Sequence, residues 1–293
     1  MTAKPIVAGT DGSEESLRAV DWAAREAVLR GLPLRIVSAA DEPPRMIPHR
    51  HGPGPDTVAD TLQKDRERAL NVATERARAA APELQVDVND LPRAPAYALI
   101  EAGSDASMLV VGARGVGAFT ALILGSVSQY VSAHATCPVV VVREETTAAT
   151  RQVGVGIGDP ARSTAALAFA FEEASLRKAS LIAVHALDMP SGKIGSAVWA
   201  LATPGRPGLE EDAASQLDSM LADWQGKYPD VQVSHDFVQG HPGRALVGLS
   251  ARADLVVLGR HTKHGALPGP GAVRHAVLNH AHGPVVTVPS PSS

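Results

Sequence analysis

The residues of this chain best suited to chemistry are glycines at one spacing. Gly112 and Gly115 lie three apart, nine residues follow, and then come Gly125 and Ser126. Met108-Leu-Val-Val precedes them, a short apolar run with β-branched residues that reads as a buried parallel strand. A helical pattern opens behind them at Gly125-Ser126, with Val127, Tyr130, Val131 and His134 on one predicted face. A strand feeding a glycine-bearing loop and then a helix N-terminus is suited to holding phosphate. The glycines lack a Cβ, so backbone N–H groups can approach an anion, and the helix end presents donors without intrahelical partners. The loop has no Gly-Lys-Ser/Thr, and no Gly-x-Gly-x-x-Gly follows the first strand, so it is neither a P-loop nor a dinucleotide fingerprint.

Such a loop needs a frame, and the first half of the chain supplies alternating strands and helices. Ile6–Gly9 reads as a strand, Thr10-Asp-Gly-Ser13 as a turn rich in capping residues, and Glu14–Arg30 as a helix. Leu17, Val20, Ala24, Ala27 and Val28 form its predicted inner face, and Gly31 is its stop. Leu34–Val37 is a second strand, followed by a Pro/Gly/His-rich loop over Asp41–Pro55 and a long helix over Thr57–Ala81. Strand three over Val86–Val88, a helix over Pro95–Ala102, strand four over Met108–Val111 and strand five over Pro138–Val142 complete the half. Alternation of this kind implies right-handed crossovers and a doubly wound parallel sheet.

The pattern then restarts. With an offset of 147 residues the halves align without a gap from Gly9 to Gly112: Val37 meets Val184, Pro95 meets Pro242, Leu99 meets Leu246 and Gly112 meets Gly259. Near strand five the offset becomes 146, with Pro138-Val-Val against Pro284-Val-Val. This is a tandem duplication. The polar stretch Glu144–Gln152 reads as a linker, giving domains over 1–144 and 152–293. The predicted fold class is α/β, two tandem doubly wound parallel five-stranded sheets of Rossmann-like type.

The phrases Val7-Ala-Gly-Thr-Asp11-Gly-Ser, Trp22-Ala-Ala-x-Glu-Ala27, Leu109-Val-Val-Gly-x-Arg-Gly115, the Gly-x-x-Gly-x9-Gly-Ser spacing and the final Cys137-Pro-Val-Val-Val resemble the universal stress protein family over the whole chain. The resemblance implies strand order 3-2-1-4-5, with Asp11 and Gly112 ending neighbouring strands at the switch point, where open sheets bind ligands. It implies an ATP site, with Mg²⁺ accompanying the nucleotide. Gly9, Thr10 and Asp11 would line base and ribose, and backbone around Ala39 would face the adenine. Gly112, Arg114 and Gly115 would surround the phosphates, Gly125 and Ser126 would offer amides and a hydroxyl from the helix N-terminus, and Val111, Ala113 and Val127 would belong to the same nucleotide site. Asp11 can accept from ribose hydroxyls or cap the first helix. Arg114 can pair a phosphate or be a solvated loop charge. The resemblance further implies a stress-response regulator or sensor, in which binding orders the Val116–Leu124 loop for an unknown protein partner. It implies strand-five pairing as well, giving an intrachain pseudo-dimer and a homodimer.

The second half departs from the motif. Gly158 falls where Asp11 stands, and Asp159 is one place late and precedes Pro160. After Gly259 the second glycine is lost, the loop holds Pro268 and Pro270, and Gly271-Ala272 replaces Gly-Ser. The expectation is one ATP per chain, in the first half. His261, His264, His275, His280 and His282 cluster here, and His49 and His51 lie in the first-half loop. Their spacing fits no zinc set, so no metal site is expected.

The 293 residues are 45% apolar and 20% charged with net charge −4, a globular composition without the basic footprint of nucleic-acid binding. No 18-residue apolar run suggests a membrane span. The N-terminus has no signal-peptide core, and the lone Cys137 fits a reducing cytoplasm. No Mg²⁺-binding acid or water-orienting residue is evident, so slow hydrolysis at most, and no enzyme, is expected. Two rivals stay open. One is a nucleotide-free dimerisation or interaction module. The other is an enzyme of a related α/β group, such as an adenylating ATP pyrophosphatase, whose Ser-Gly-Gly-x-Asp-Ser loop contrasts with Gly9-Thr-Asp-Gly-Ser13 here, or a flavin-binding electron-transfer subunit.

Overall fold

The computed structural model describes residues 3–40, 55–115, 124–143, 149–158, 163–187, 209–239, 241–260 and 271–290. The chain divides into two compact units, Met1–Glu145 and Thr146–Ser293.

In the first unit β1 (Ile6–Thr10), β2 (Leu34–Ala39), β3 (Val86–Leu91), β4 (Met108–Gly112) and β5 (Val139–Val142) run parallel in the order β3-β2-β1-β4-β5. Strands β1, β4 and β5 are buried along their whole length, as continuous apolar runs in a sheet covered on both faces are. β3 reaches Leu91 rather than ending at Val88, because its ladder with β2 continues to the Ala39–Leu91 pair.

Helices α1 (Glu14–Arg30), α2 (Pro55–Ala80), α3 (Pro95–Gly103) and α4 (Ser126–His134) connect these strands. The Ser13 side chain caps α1 by accepting from Ser16 N, and Gly31 ends it in the left-handed region at φ 64°. Leu17, Val20, Ala24 and Ala27 are buried as expected, but Val28 is 58% exposed and lies outside the apolar stripe. In α4 the expected inner face is rotated. Ser128, Val131 and Ser132 are buried, whereas His134 is exposed. The buried serine is tolerated because Ser128 Oγ donates to Gly112 O at 2.6 Å.

The second unit repeats the frame. β6 (Gln152–Ile157), β7 (Ser180–Leu187), β8 (Val233–Gln239), β9 (Leu255–Arg260) and β10 (Val285–Pro289) lie in the order β8-β7-β6-β9-β10, all parallel. Its helices are α5 (Thr164–Arg177), α6 (Leu209–Lys227), α7 (Pro242–Ser250) and α8 (Gly271–His280). Details repeat too. Lys178 ends α5 in the left-handed region at φ 51°, at the place of Gly31. The buried Glu173 pairs with Arg177 four residues on, as the buried Glu26 does with Arg30. The end of the expected linker is tied down, since Thr150 N, Thr150 Oγ1 and Arg151 N all donate to the Asp254 carboxylate.

Candidate functional site

The site forms where β1 and β4 lie side by side and their chains depart to opposite faces of the sheet. β1 pairs with β2 on one side and with β4 on the other, the switch point of an open parallel sheet. A cleft of about 440 Å³ opens there, within the ~300–1,000 Å³ usual for small-molecule sites.

The β1 side is organised by hydroxyls. Thr10 Oγ1 lies 3.1 Å from Ser16 Oγ, which also accepts from Asp11 N at 3.3 Å, and Thr10 Oγ1 accepts from Gly12 N at 3.2 Å. Asp11 Oδ1 accepts from Ser13 N at 3.0 Å and from Ser13 Oγ at 2.6 Å. Asp11 is thus not the helix cap. Ser13 is, and Asp11 braces Ser13 from outside, as short acidic side chains do in turns.

The β4 side comes close enough only because of its glycines. A Cβ at Gly112 would lie 2.7 Å from the backbone O of Glu15 in the first turn of α1. A Cβ at Gly115 would lie 2.2 Å from Asp11 Oδ2, so any side chain there would evict the carboxylate. The loop is then folded onto the start of α4, where Gly125 N donates to Ala113 O at 2.8 Å. The first intrahelical donor of α4 is Gln129 N, which reaches Gly125 O. The amides of Ser126, Val127 and Ser128 therefore precede the intrahelical ladder and are available at the cleft's polar end.

Arg114 supplies a positive charge to that end. Its Nη2 lies 3.3 Å from Glu15 Oε1, and its Nε is buried with no hydrogen-bond partner among the described residues. At the opposite end the lining is apolar, with Val37, Ala39, Leu99 and Val111, and a Cβ at Gly9 would collide with Leu99 at 2.9 Å. One end is shaped for a flat apolar group and the other for an anion.

Eleven of the expected residues line this cleft: Gly9, Thr10, Asp11, Ala39, Val111, Gly112, Arg114, Gly115, Gly125, Ser126 and Val127. Ala113 does not. Its N donates to Val142 O and its O accepts from Gly125 N, so both backbone groups serve the frame, and its side chain is buried. Ser16, Val37, Pro95, Leu99 and Ser128 line the cleft as well. Pro95 and Leu99 come from α3, which crosses the sheet beside β2. Their only sequence signal was the repeat, which matches them to Pro242 and Leu246. The loop over 116–123, the second-half loop over 261–270 with His261 and His264, and His49 and His51 lie outside the described residues. Among the described residues no three His, Cys, Asp or Glu side chains form a metal cluster.

Fold and cleft together define a class of protein: tandem open parallel α/β sheets, the first with a glycine-lined cleft at its switch point. The model of the universal stress protein family matches residues 2–143 and again 149–289. Universal stress protein Rv2005c of Mycobacterium tuberculosis is 36% identical over 299 residues, covering 96% of this chain and 95% of that protein. Universal stress protein Rv2623 of the same organism is 32% identical over 297 residues, with the same coverage of each. Among solved structures, a universal stress protein from Archaeoglobus fulgidus superposes with a TM-score of 0.71 at 16% identity, over 97% of this chain and 98% of that one, a likeness of fold. The chain belongs to the universal stress protein family, as two tandem domains.

Proposed function

We propose that this chain is an ATP-binding regulator of the stress-response type, holding one nucleotide in the first unit and turning it over slowly or not at all. The observation that carries this reading is the convergence at one cleft end of three features. They are the open α4 amides, two positions where a Cβ is excluded, and a guanidinium whose Nε has no described partner. Adenine fits the Val37, Ala39 and Leu99 end, and Asp11 stands where ribose hydroxyls need an acceptor. Mg²⁺ would arrive on the phosphates rather than in a protein cage, as it commonly does. Asp11, the carboxylate that lines the cleft, is engaged by Ser13, and Glu15 beside it by Arg114. That favours binding over activation of water. Pairing of chains through strand five, and a protein partner that senses occupancy, belong to the same reading. No helix among the described residues is long and apolar enough to cross a membrane.

The test is to purify the full chain without added nucleotide, denature it and quantify adenine nucleotide per chain, then titrate ATP, AMP and cyclic AMP calorimetrically. About one ATP per chain supports the reading. A tighter fit for a monophosphate would reassign the ligand, and no binding of any of the three would leave the interaction module in its place.

A further inference from the structure

Arg114 lines the polar end of the cleft, and Glu15, whose backbone packs against Gly112, pairs with it. Glu15 sits in the first turn of α1, and its backbone O is the atom that forbids a side chain at Gly112. Its carboxylate, 29% exposed, lies 3.3 Å from the Nη2 of Arg114, which is 25% exposed. A guanidinium presents its N–H groups as a planar fork that matches a carboxylate or phosphate with two parallel bonds. Glu15 engages that fork through Nη2, while Nε is buried without a hydrogen-bond partner among the described residues. A buried donor left unmade is costly, so the arrangement is complete only when another acceptor arrives.

We infer that Glu15 is an internal competitor for the ligand's phosphate: its carboxylate holds Arg114 in the empty cleft, and an incoming phosphoryl group takes Arg114 over, so that this pair sets how strongly the cleft prefers phosphorylated nucleotides. This rests on the nucleotide reading of the cleft. The physical argument is one of charge. Adenosine has no charge, displaces nothing and is indifferent to Glu15. A phosphate that takes both arms of the Nε–Nη2 fork must displace Glu15 from Nη2 and then sit near the displaced carboxylate. Glu15 therefore weakens binding of charged nucleotides selectively, and Arg114 strengthens it. A pair of this exposure is worth the modest energy of a partly solvated ion pair rather than that of a buried one. The device tunes selectivity and does not decide whether the cleft binds.

Calorimetric titration of adenosine and ATP into the full chain tests it, in wild type, Glu15→Gln, Arg114→Gln and the double variant at one salt concentration. Glu15→Gln should tighten ATP by roughly 2–10-fold, the range of exposed ion pairs at a tenfold change per 1.4 kcal/mol. Arg114→Gln should weaken ATP by roughly 10–100-fold, as loss of a charged hydrogen bond does. The gain from Glu15→Gln should shrink in the Arg114→Gln background, because the contact being competed for is gone. Adenosine should bind all four proteins alike, which also shows that the cleft is folded in each. Unchanged or weakened ATP binding by Glu15→Gln, with adenosine unaffected, would overturn the inference and leave the nucleotide reading standing. Equal tightening of adenosine and ATP would overturn it too, since the effect would then be one of shape. If wild type bound neither ligand, the nucleotide reading itself would fall and this inference with it.

Discussion

Gly9 and Gly156 stand at equivalent places in β1 and β6, and each lies under a leucine of the short helix that follows the third strand of its unit, Leu99 in one and Leu246 in the other. A Cβ would meet those leucines at 2.9 Å and 3.0 Å. The apolar end of the cleft is thus built the same way twice. The other end is not. Asp11, braced by Ser13 and lying against Gly115, has Gly158 at its equivalent place. Ser128, which donates to Gly112 O, is replaced by Arg274, a half-buried guanidinium whose pKa burial pushes below its ordinary value. A Cβ at Gly125 would press on Ala113 O at 3.3 Å, whereas one at Gly271 meets nothing described within 4 Å. Between the units the sheet and helix frame is repeated, while the side chains around the strand-four end of the cleft differ. The frame and the site are therefore separable properties of one chain.

The sharpest way to break that comparison is to place the same charge at both helix starts. Gly125→Glu should abolish ATP binding, because a carboxylate at the cradle opposes the phosphates and like charges brought together cost several kcal/mol, roughly 100-fold or more in affinity. Gly271→Glu should leave the count of bound nucleotide unchanged at about one per chain. Nucleotide released on denaturation, measured for both variants, decides it. If Gly271→Glu removes half of a stoichiometry of two, the second unit binds through backbone groups alone and the asymmetry is false.

The seam between the first and second helices differs between the units as much as the cleft does. In the second unit the ring of Phe171, fully buried, stacks 5.9 Å from Trp224 and 5.8 Å from Tyr228. The equivalent residues in the first unit are Ala24, Ala77 and Ala81, all buried. There the seam is bridged by Arg76 of α2, which donates to Asp21 at 2.7 Å and to Glu14 at 3.1 Å, both on α1. Phe171→Ala should cost about 3–5 kcal/mol, the range for deleting a large aromatic from a core. Urea unfolding followed by separate probes in each unit should show the loss in the second unit alone.

These differences also explain what could be read without a structure. The frame was legible because a parallel sheet leaves apolar runs and helix caps in the sequence, and duplication wrote them twice. The glycine spacing marked the strand-four end of the cleft for a steric reason, visible in the Glu15 carbonyl under Gly112. The apolar end of the cleft was only partly legible, since Val37, Pro95 and Leu99 are apolar residues whose place in the lining depends on where α3 crosses. The face of α4 was misread because buried serines carry no hydrophobic signal, and Ser128 is inward for a hydrogen bond rather than for burial. Of the two roles open to Asp11, ribose acceptor or helix cap, the cap falls to Ser13, two residues later, whose side chain reaches Ser16 N.

A smaller effect should come from the hydroxyl that the first unit keeps and the second lacks. Ser126 is exposed at the start of α4 and lines the cleft, and Ala272 holds its place in the second unit. Ser126→Ala should weaken ATP by about 1.5–3 kcal/mol if the hydroxyl donates to a phosphate, the value of a hydrogen bond to a charged group. An unchanged dissociation constant in the calorimeter would assign phosphate recognition to the amides of the helix start, and the Ser–Ala difference between the units would then carry no function.

The least effect, and the one most specific to the ionic seam, is in its response to acid. The hydrogen bonds from Arg76 hold the Glu14 carboxyl below its ordinary value of 4.5, with burial acting weakly against them. Hydrogen bonds to Glu14 and Asp21 in turn push the Arg76 guanidinium upward, so it stays charged throughout. In acid the unfolded chain then binds more protons at Glu14 than the folded chain does, and stability there rises with pH. The contribution is complete above the unfolded value and is lost as pH falls through the lower folded one. The second unit has Ala168 and Asp223 where the first has Asp21 and Arg76, so its aromatic seam adds no such slope. Arg76→Met should therefore lower the melting temperature of the first unit by about 2–4 °C at neutral pH, as loss of about 1 kcal/mol does in a domain of this size. The difference from wild type should shrink when calorimetry is repeated in acid below the ordinary carboxylate value, as Glu14 becomes protonated. An equal difference at both pH values would mean that Arg76 works through the packing of its stem on the alanines beneath. The first seam would then be held by contact, as the second is, and the contrast between them would be one of size rather than of charge.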